Sequence, residues 1–129
     1  MSAIDHLEIS VKNAPLSLRF YQQALEPLGF RLVITQEPAK TRTGGFRYGL
    51  GPQGYPRLWL HDNEETGASL HLAFSTDKRS IVDQFWKQAL LAGGKDNGAR
   101  EFVSIIIHNT MQRTFLILTV IIWKSSASR

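Results

Sequence analysis

The sequence contains no cysteine among its 129 residues. This absence excludes disulfide bonds and thiolate ligands, so a metal site would have to use nitrogen and oxygen donors. Long apolar segments are missing as well, since the longest, residues 114–123, is about half of what a membrane-spanning helix needs. The N-terminus lacks a basic, apolar, small-residue signal pattern, and we therefore expect a cytoplasmic protein.

The positive charge is concentrated towards the C-terminus. The formal net charge is +4. Residues 100–129 hold four basic side chains and one acidic side chain, a net of +3, which leaves +1 for residues 1–99. The chain has no basic segment with interleaved aromatic residues, so we expect no nucleic-acid partner. Its length and composition are typical of one globular domain, residues 1–129.

Two histidines occupy similar positions in two strand-like segments, about half the chain length apart. His6 lies where polar and apolar residues alternate, and His71 lies in the apolar segment 69–74. Each segment is followed by an amphipathic stretch with apolar residues three and four positions apart, which indicates a helix. The pattern predicts a duplicated strand–helix unit that supplies one imidazole from each half.

The sequence of the first half predicts a strand, a helix and three further strands. Asn13 is expected to cap the helix, and Gly29 is expected to end it. Glycine and proline turns separate the strands that follow. These strands are predicted over residues 30–35, 46–50 and 57–61.

The second half repeats the beginning of this order. A charged turn separates a first module, residues 1–62, from a second module, residues 68–129. Ser80 begins a pattern that resembles a capping box, and the helix it introduces is predicted to stop at Gly93. Its apolar positions are Val82, Phe85, Trp86 and Ala89.

The two histidines are candidate metal ligands. Neutral imidazole is a common ligand, and two histidines with one carboxylate suit iron(II) and related divalent metals. Glu8 shares a face with His6, so it is either the carboxylate partner or a cross-strand or solvent-facing residue. Each histidine also has a simpler interpretation as a half-buried strand residue. We expect His61 and His108 to be structural.

Three aromatic residues have two interpretations. Phe46, Tyr48 and Trp59 lie in predicted strands of the first half. They either pack in the core or line a cavity inside a curved sheet. We predict Tyr48 and Trp59 as substrate-binding residues under the second interpretation.

Several segments within residues 2–99 match the pattern of a known superfamily. They are Ile4-Asp5-His6, Phe20-Tyr21 with Leu25, Leu28-Gly29-Phe30, Leu70-His71-Leu72-Ala73-Phe74 and Ala92-Gly93-Gly94-Lys95-Asp96-Asn97-Gly98. Together they resemble the vicinal oxygen chelate superfamily, which includes glyoxalase I, bleomycin-resistance proteins and extradiol dioxygenases. The glycine-rich segment after the second helix is the most specific match.

The resemblance implies a fold, a cofactor and an activity. The fold is α+β, with paired βαβββ modules that form a curled mixed sheet cup around a metal, and members commonly form homodimers. His6 and His71 fall at the positions of two metal ligands. The implied protein is a lyase or dioxygenase that uses a divalent metal, Fe, Mn, Ni or Zn, on a small molecule with vicinal oxygens.

The chain departs from this family after Ala99. The family expects an Asp-Pro-Asp-Gly turn and then a strand whose glutamate is the last metal ligand, and residues 100–129 contain neither. Reading the tail one base earlier gives alanine at Met111-Gln112, because ATG-CA contains GCA. It gives glutamate at Trp123-Lys124, because TGG-AA contains GAA. Our hypothesis is that residues from about 100 onward are a frameshifted product, which makes the end of the second module atypical.

Three functions stay open after the loss of this ligand. The first is an impaired divalent-metal enzyme, and the second is a metal-free small-molecule-binding protein of the bleomycin-resistance type. The third is an inactive relic that still folds. Two tail segments, residues 102–108 and 114–123, are rich in strand-forming residues. We expect them to pair with the sheet or with a second chain.

Overall fold

The computed structural model describes residues 3–66, 69–93, 95–96, 103–109 and 116–123, with side chains over 3–66 and 72–93. The chain divides into two compact units, Met1–Thr66 and Gly67–Arg129. The architecture is α+β, as predicted, with mixed four-stranded sheets and two α-helices in the described part. Neither of these helices has the length and apolar character needed to cross a membrane.

The first unit is a mixed four-stranded sheet with one α-helix. Its strands lie in the order β1-β4-β3-β2, and β1 runs parallel to β4 while the other pairs are antiparallel. Short 3₁₀ turns precede β2, β3 and β4. The elements are β1 (Leu7–Ser10), α1 (Ala14–Ala24), a 3₁₀ turn (Glu26–Leu28), β2 (Arg31–Gln36), a 3₁₀ turn (Pro38–Lys40), β3 (Arg47–Gly51), a 3₁₀ turn (Pro52–Gly54) and β4 (Leu58–His61).

Helix α1 begins where the sequence predicts. The backbone of Asn13 is extended, and its side-chain oxygen accepts a hydrogen bond from the backbone N–H of Leu16 at 3.0 Å. Asp62, at the end of β4, adds a second acceptor to the same helix end, 2.7 Å from the N–H of Ala14. The start of α1 is therefore held by its own capping residue, Asn13, and by Asp62 from the end of the sheet.

The end of α1 differs from the prediction. The α-helix stops at Ala24, and a separate 3₁₀ turn carries the chain to Gly29. Pro27 explains the break, because it has no N–H to donate and its ring obstructs a continuing α-helix. Gly29 ends the 3₁₀ turn with a φ of +85°, a conformation that glycine adopts without steric cost.

One face of the first sheet packs against α1. The strand register places Ile9, Leu60 and Tyr48 on this face, because directly opposed residues point to the same side. Tyr21 of α1 is fully enclosed, and burial raises the pKa of its phenol. The buried apolar residues of the unit are Ile9, Val11, Ala14, Leu18, Tyr21, Ala24, Leu25, Tyr48, Leu50, Leu58, Trp59 and Leu60.

The second unit contains a sheet with strand order β5-β8-β7-β6. Strand β8 pairs antiparallel with β5 and β7, and β6 pairs parallel with β7. Both predicted tail strands are therefore present, and they pair within this unit. The elements are β5 (Ser69–Thr76), α2 (Arg79–Leu91), β6 (Lys95–Asp96), β7 (Val103–Asn109) and β8 (Leu116–Trp123).

The predicted cap of α2 at Ser80 is wrong. The helix begins at Arg79, its N-cap residue is Lys78, and no side chain caps it. Ser80 consequently lies inside the first turn, where it cannot serve as the N-cap. Three of the four predicted apolar positions are confirmed, because Val82, Phe85 and Ala89 are fully buried, whereas Trp86 is half-buried.

Candidate functional site

The second face of the first sheet carries polar side chains from all four strands. Arg47 lies opposite His61 on β4 and opposite Gln36 on β2. Glu8 on β1 lies opposite Trp59, which shares this face because it is two residues from His61. Strand alternation therefore assembles a polar surface on the side away from α1.

Arg47 is the centre of this surface. Its guanidinium makes two hydrogen bonds to Glu8, from Nε to Oε2 at 2.8 Å and from Nη2 to Oε1 at 3.3 Å. A third hydrogen bond joins Nη1 to the side-chain oxygen of Gln36 at 3.0 Å. The guanidinium carbon lies 3.8 Å from the ring centre of Trp59, which is a cation–π contact. One side chain thus connects β1, β2, β3 and β4.

His61 lies between two carboxylates. Its Nδ1 atom is 2.9 Å from Oε2 of Glu8, and its Nε2 atom is 2.8 Å from Oε1 of Glu64. The side chain is only 16% exposed. Nδ1 is enclosed by protein and is not directed for a hydrogen bond. The contact with Glu8 is therefore electrostatic, and it strengthens when the imidazole is protonated.

The electrostatic environment keeps Glu8 ionised. The hydrogen bond from Arg47 is the main cause that holds the pKa of Glu8 below its ordinary value. Partial burial acts in the opposite direction, while the positive charge of Arg47 and the contact with His61 add to the lowering. Glu8 is therefore a fixed acceptor for Arg47 and a charged neighbour of His61.

These side chains lie at a cleft of about 340 Å³ in the first unit. Every lining residue has a polar side chain, and hydroxyl, amide, basic and acidic groups all contribute. A ligand in this cleft would meet hydrogen-bonding groups and charges rather than aromatic rings. The lining residues are Glu8, Gln36, Lys40, Thr41, Arg42, Thr43, Arg47, His61 and Glu64.

The predicted substrate-binding aromatics lie outside this lining. Tyr48 is on the face that packs against α1, it is buried, and its ring stacks on that of Phe46 with ring centres 6.0 Å apart. Trp59 is on the cleft face, but the guanidinium of Arg47 covers its ring. Tyr48 thus belongs to the core, and Trp59 supports the side chain that lines the cleft.

His6 precedes β1 and belongs to a separate polar group. Its Nδ1 atom lies 2.7 Å from Oδ2 of Asp5, and the imidazole is half exposed. Asp5 also accepts hydrogen bonds from the hydroxyl of Tyr55 at 2.8 Å and from Arg57 at 3.1 Å. These contacts, with the one from His6 first, hold the pKa of Asp5 below its ordinary range. The Nε2 atom of His6 has no protein partner within the described residues.

The second predicted ligand, His71, lies in the second unit. The backbone of His71 lies in β5, opposite Ile121 of β8. The side chains of His71 and His108 lie outside the side chains that the structure describes. The predicted meeting of the His6 and His71 imidazoles therefore also lies outside them. Among the described residues, no group of three or more histidine, aspartate or glutamate side chains is arranged to hold a metal ion.

The sequence reasoning missed the contribution of His61 and Glu64 to the cleft. His61, which is predicted to be structural, lines the cleft and lies close to both carboxylates. The useful signal was its position two residues after Trp59, on the same face as Glu8. Glu64 follows the strand, and its position depends on the turn after β4, which strand periodicity does not describe.

Comparison with known proteins does not add a family name to this site. No protein-family model matches the sequence, and no curated protein matches it.

Proposed function

We propose that this chain is a small-molecule-binding protein of the vicinal oxygen chelate type, with its binding cleft in the first unit. The supporting observation is the polar cleft of about 340 Å³, in which Glu8, Arg47 and His61 are held in place by one another. Its volume lies in the range of small-molecule pockets. Fixed donors and acceptors give such a pocket selectivity for a polar ligand.

The proposal includes paired βαβββ modules that form a curled mixed sheet cup. The repeated element order supports it, and the strand order β5-β8-β7-β6 repeats β1-β4-β3-β2 position by position. The strand directions differ, because β1 and β4 are parallel whereas β5 and β8 are antiparallel. The hypothesis of a tail translated in another frame would account for this difference, since both β7 and β8 lie after residue 100.

A test of the binding function uses small probes with vicinal oxygens, catechol and oxalate, in NMR titrations of the full chain. We expect at least one probe to shift the side-chain signals of Arg47 and His61. Glu64→Gln, which changes the cleft lining, should alter the dissociation constant. Glu26→Gln makes the same change at an exposed carboxylate outside the lining and should leave it unaltered. If neither probe shifts these signals, the proposed function is wrong.

The second candidate function is the divalent-metal enzyme, a lyase or dioxygenase weakened by the lost third ligand. The contact between Asp5 and His6 favours it, because a carboxylate on Nδ1 orients an imidazole and leaves Nε2 for a metal. The described donors do not complete a metal site by themselves. His6 and His71 are the proposed ligands for Fe, Mn, Ni or Zn.

Elemental analysis after incubation with each metal tests this candidate. Near-stoichiometric loading of the unmodified chain, lost in both His6→Ala and His71→Ala, would support the enzyme. Loading that survives both substitutions would exclude these ligands. A chain that binds neither metal nor small probes would be the inactive relic.

The homodimer and the cytoplasmic location stay predictions. The mass of the protein in solution tests the homodimer.

A further inference from the structure

The cleft has more positive than negative charge. Its lining contains three basic side chains, Lys40, Arg42 and Arg47, and two carboxylates, Glu8 and Glu64, a difference of +1 before His61 is counted. The overall sign therefore favours an anion over a cation or a neutral molecule.

Both carboxylates already have basic partners inside the protein. Glu8 accepts from Arg47 and contacts His61, and Glu64 contacts His61 and Arg42. The negative charge of Glu8 is therefore compensated chiefly by Arg47. A cationic ligand would have to compete with Arg47 and His61 for the same oxygens.

The remaining basic groups are less engaged. The ammonium group of Lys40 makes no hydrogen bond or ion pair within the part of the chain that the structure describes, and its side chain is exposed. Arg42 has one contact with Glu64 at 3.4 Å, and its side chain is 84% exposed. An exposed pair at this distance contributes little energy, so Arg42 can turn to a ligand at small cost.

The backbone that carries these two side chains is held in place. The hydroxyl of Thr41 donates to the carbonyl oxygen of Gly45 at 2.6 Å, and the side-chain amide of Asn63 donates to the carbonyl oxygen of Thr43 at 2.5 Å. Gly45 lies directly against Asp62, where an added Cβ would collide with backbone and side-chain oxygens. The loop is thus fixed to the end of β4 before a ligand arrives, which lowers the entropy lost on binding.

We infer that the cleft binds a small organic anion, with a carboxylate or phosphate group held between Lys40 and Arg42 and the polar remainder against Arg47, Gln36 and His61. The inference depends on the proposed binding function and names its ligand class. Because the two recognising charges are exposed, binding should weaken as salt concentration increases.

Titration calorimetry of the full chain with oxalate, inorganic phosphate and neutral catechol tests the inference. We expect an anion to bind more tightly than catechol. Lys40→Gln and Arg42→Gln should each weaken anion binding by about threefold to tenfold. Glu64→Gln removes a negative charge from the same lining, so it should strengthen anion binding. Lys12→Gln and Arg19→Gln remove exposed positive charges outside the lining and should have no comparable effect.

The outcomes separate the ligand class from the binding function. If catechol binds in the cleft and the anions do not, the ligand class is wrong and the binding function stands. If Lys12→Gln and Arg19→Gln weaken anion binding as much as Lys40→Gln and Arg42→Gln, the anion responds only to overall charge and the inference is wrong. If no probe binds, both the inference and the proposed function are wrong.

Discussion

The Nδ1 atom of His61 lies 2.9 Å from the Oε2 atom of Glu8, between the last and the first strand of the first unit. Glu8 also binds Arg47 through both carboxylate oxygens. A single carboxylate on an edge strand therefore connects the imidazole and the guanidinium of the cleft. The charge of this carboxylate is important for both the sheet and the cleft.

Acidification should remove the stabilising contribution of Glu8. Its pKa in the folded protein lies below the ordinary value of 4.5, chiefly because of the hydrogen bond from Arg47. The contribution is thus present above the ordinary pKa and is lost as the pH falls through the lowered pKa. Urea unfolding at about pH 6.5 and about pH 3.5 should show a smaller acid-induced loss of stability in Arg47→Met than in the unmodified chain. An equal loss in both proteins would contradict this assignment.

Replacement of Arg47 should destabilise the first unit at neutral pH. Arg47→Met removes three hydrogen bonds and the contact with Trp59 and leaves Glu8 partly buried, so we expect a loss of about 1–2 kcal/mol in the free energy of unfolding. Arg47→Lys keeps the charge but not the paired hydrogen bonds, and its loss should be intermediate. Arg31→Met is a control at an exposed ion pair and should change stability by less than about 0.5 kcal/mol. Comparable losses for Arg31 and Arg47 would count against the described role.

Asp62 should be more important for stability than a turn residue normally is. Its two carboxylate oxygens accept from the N–H of Ala14 at 2.7 Å and from the N–H of Phe46 at 2.9 Å. Asp62→Ala leaves both N–H groups without this acceptor, and we expect a loss of roughly 2 kcal/mol in chemical denaturation. Asp62→Asn keeps one side-chain oxygen acceptor, so its free energy of unfolding should fall by about half as much. If the asparagine variant is no more stable than the alanine variant, the two hydrogen bonds are not the cause.

Gly49 should not tolerate a side chain. A Cβ at this position would lie 2.7 Å from Cβ of Pro56 and 2.8 Å from Cγ2 of Ile34, opposite the ring of Trp59. Gly49→Ala should therefore reduce the free energy of unfolding by about 1–3 kcal/mol. Adding Ile34→Ala removes one colliding methyl group and should recover part of this loss relative to the sum of the single changes. Strict additivity of the two changes would exclude the collision with Ile34.

The coding DNA tests the origin of the tail. We expect a shift of one base near codon 100 to restore an Asp-Pro-Asp-Gly turn and a later glutamate. Two positions are already determined by the genetic code, alanine at Met111-Gln112 and glutamate at Trp123-Lys124. A coding sequence in which no single-base shift restores the turn and the glutamate would reject the hypothesis.

Much of the fold could be predicted from sequence periodicity. The strands predicted over residues 30–35, 46–50 and 57–61 match β2, β3 and β4 to within one residue at each end. Strand-forming residues between glycine- and proline-rich turns predict these elements, although β2 is exposed along most of its length. The predicted start of α2 is wrong because the capping pattern rests on residue types alone.

The cleft was less predictable because it depends on which strands become neighbours. Periodicity places Glu8 on a polar face, but only the insertion of β4 beside β1 brings His61 to it. Tyr48 illustrates the same limit, since an aromatic residue in a strand fits either face until the position of α1 is known. The positions of Glu64 and Lys40 depend on turns rather than on strand alternation.

Strand β4 is the last strand of the first unit to be made, yet it lies between the first and the third. On the ribosome, a nascent chain that ends before Leu58 has β1 without a neighbour and only the marginal hairpin of β2 and β3. Assembly of this sheet must wait for β4 to emerge. Since all four strands precede residue 100, a change of reading frame there leaves their synthesis untouched. Cellular quality control would then encounter the altered segment only after the first half of the protein had been made.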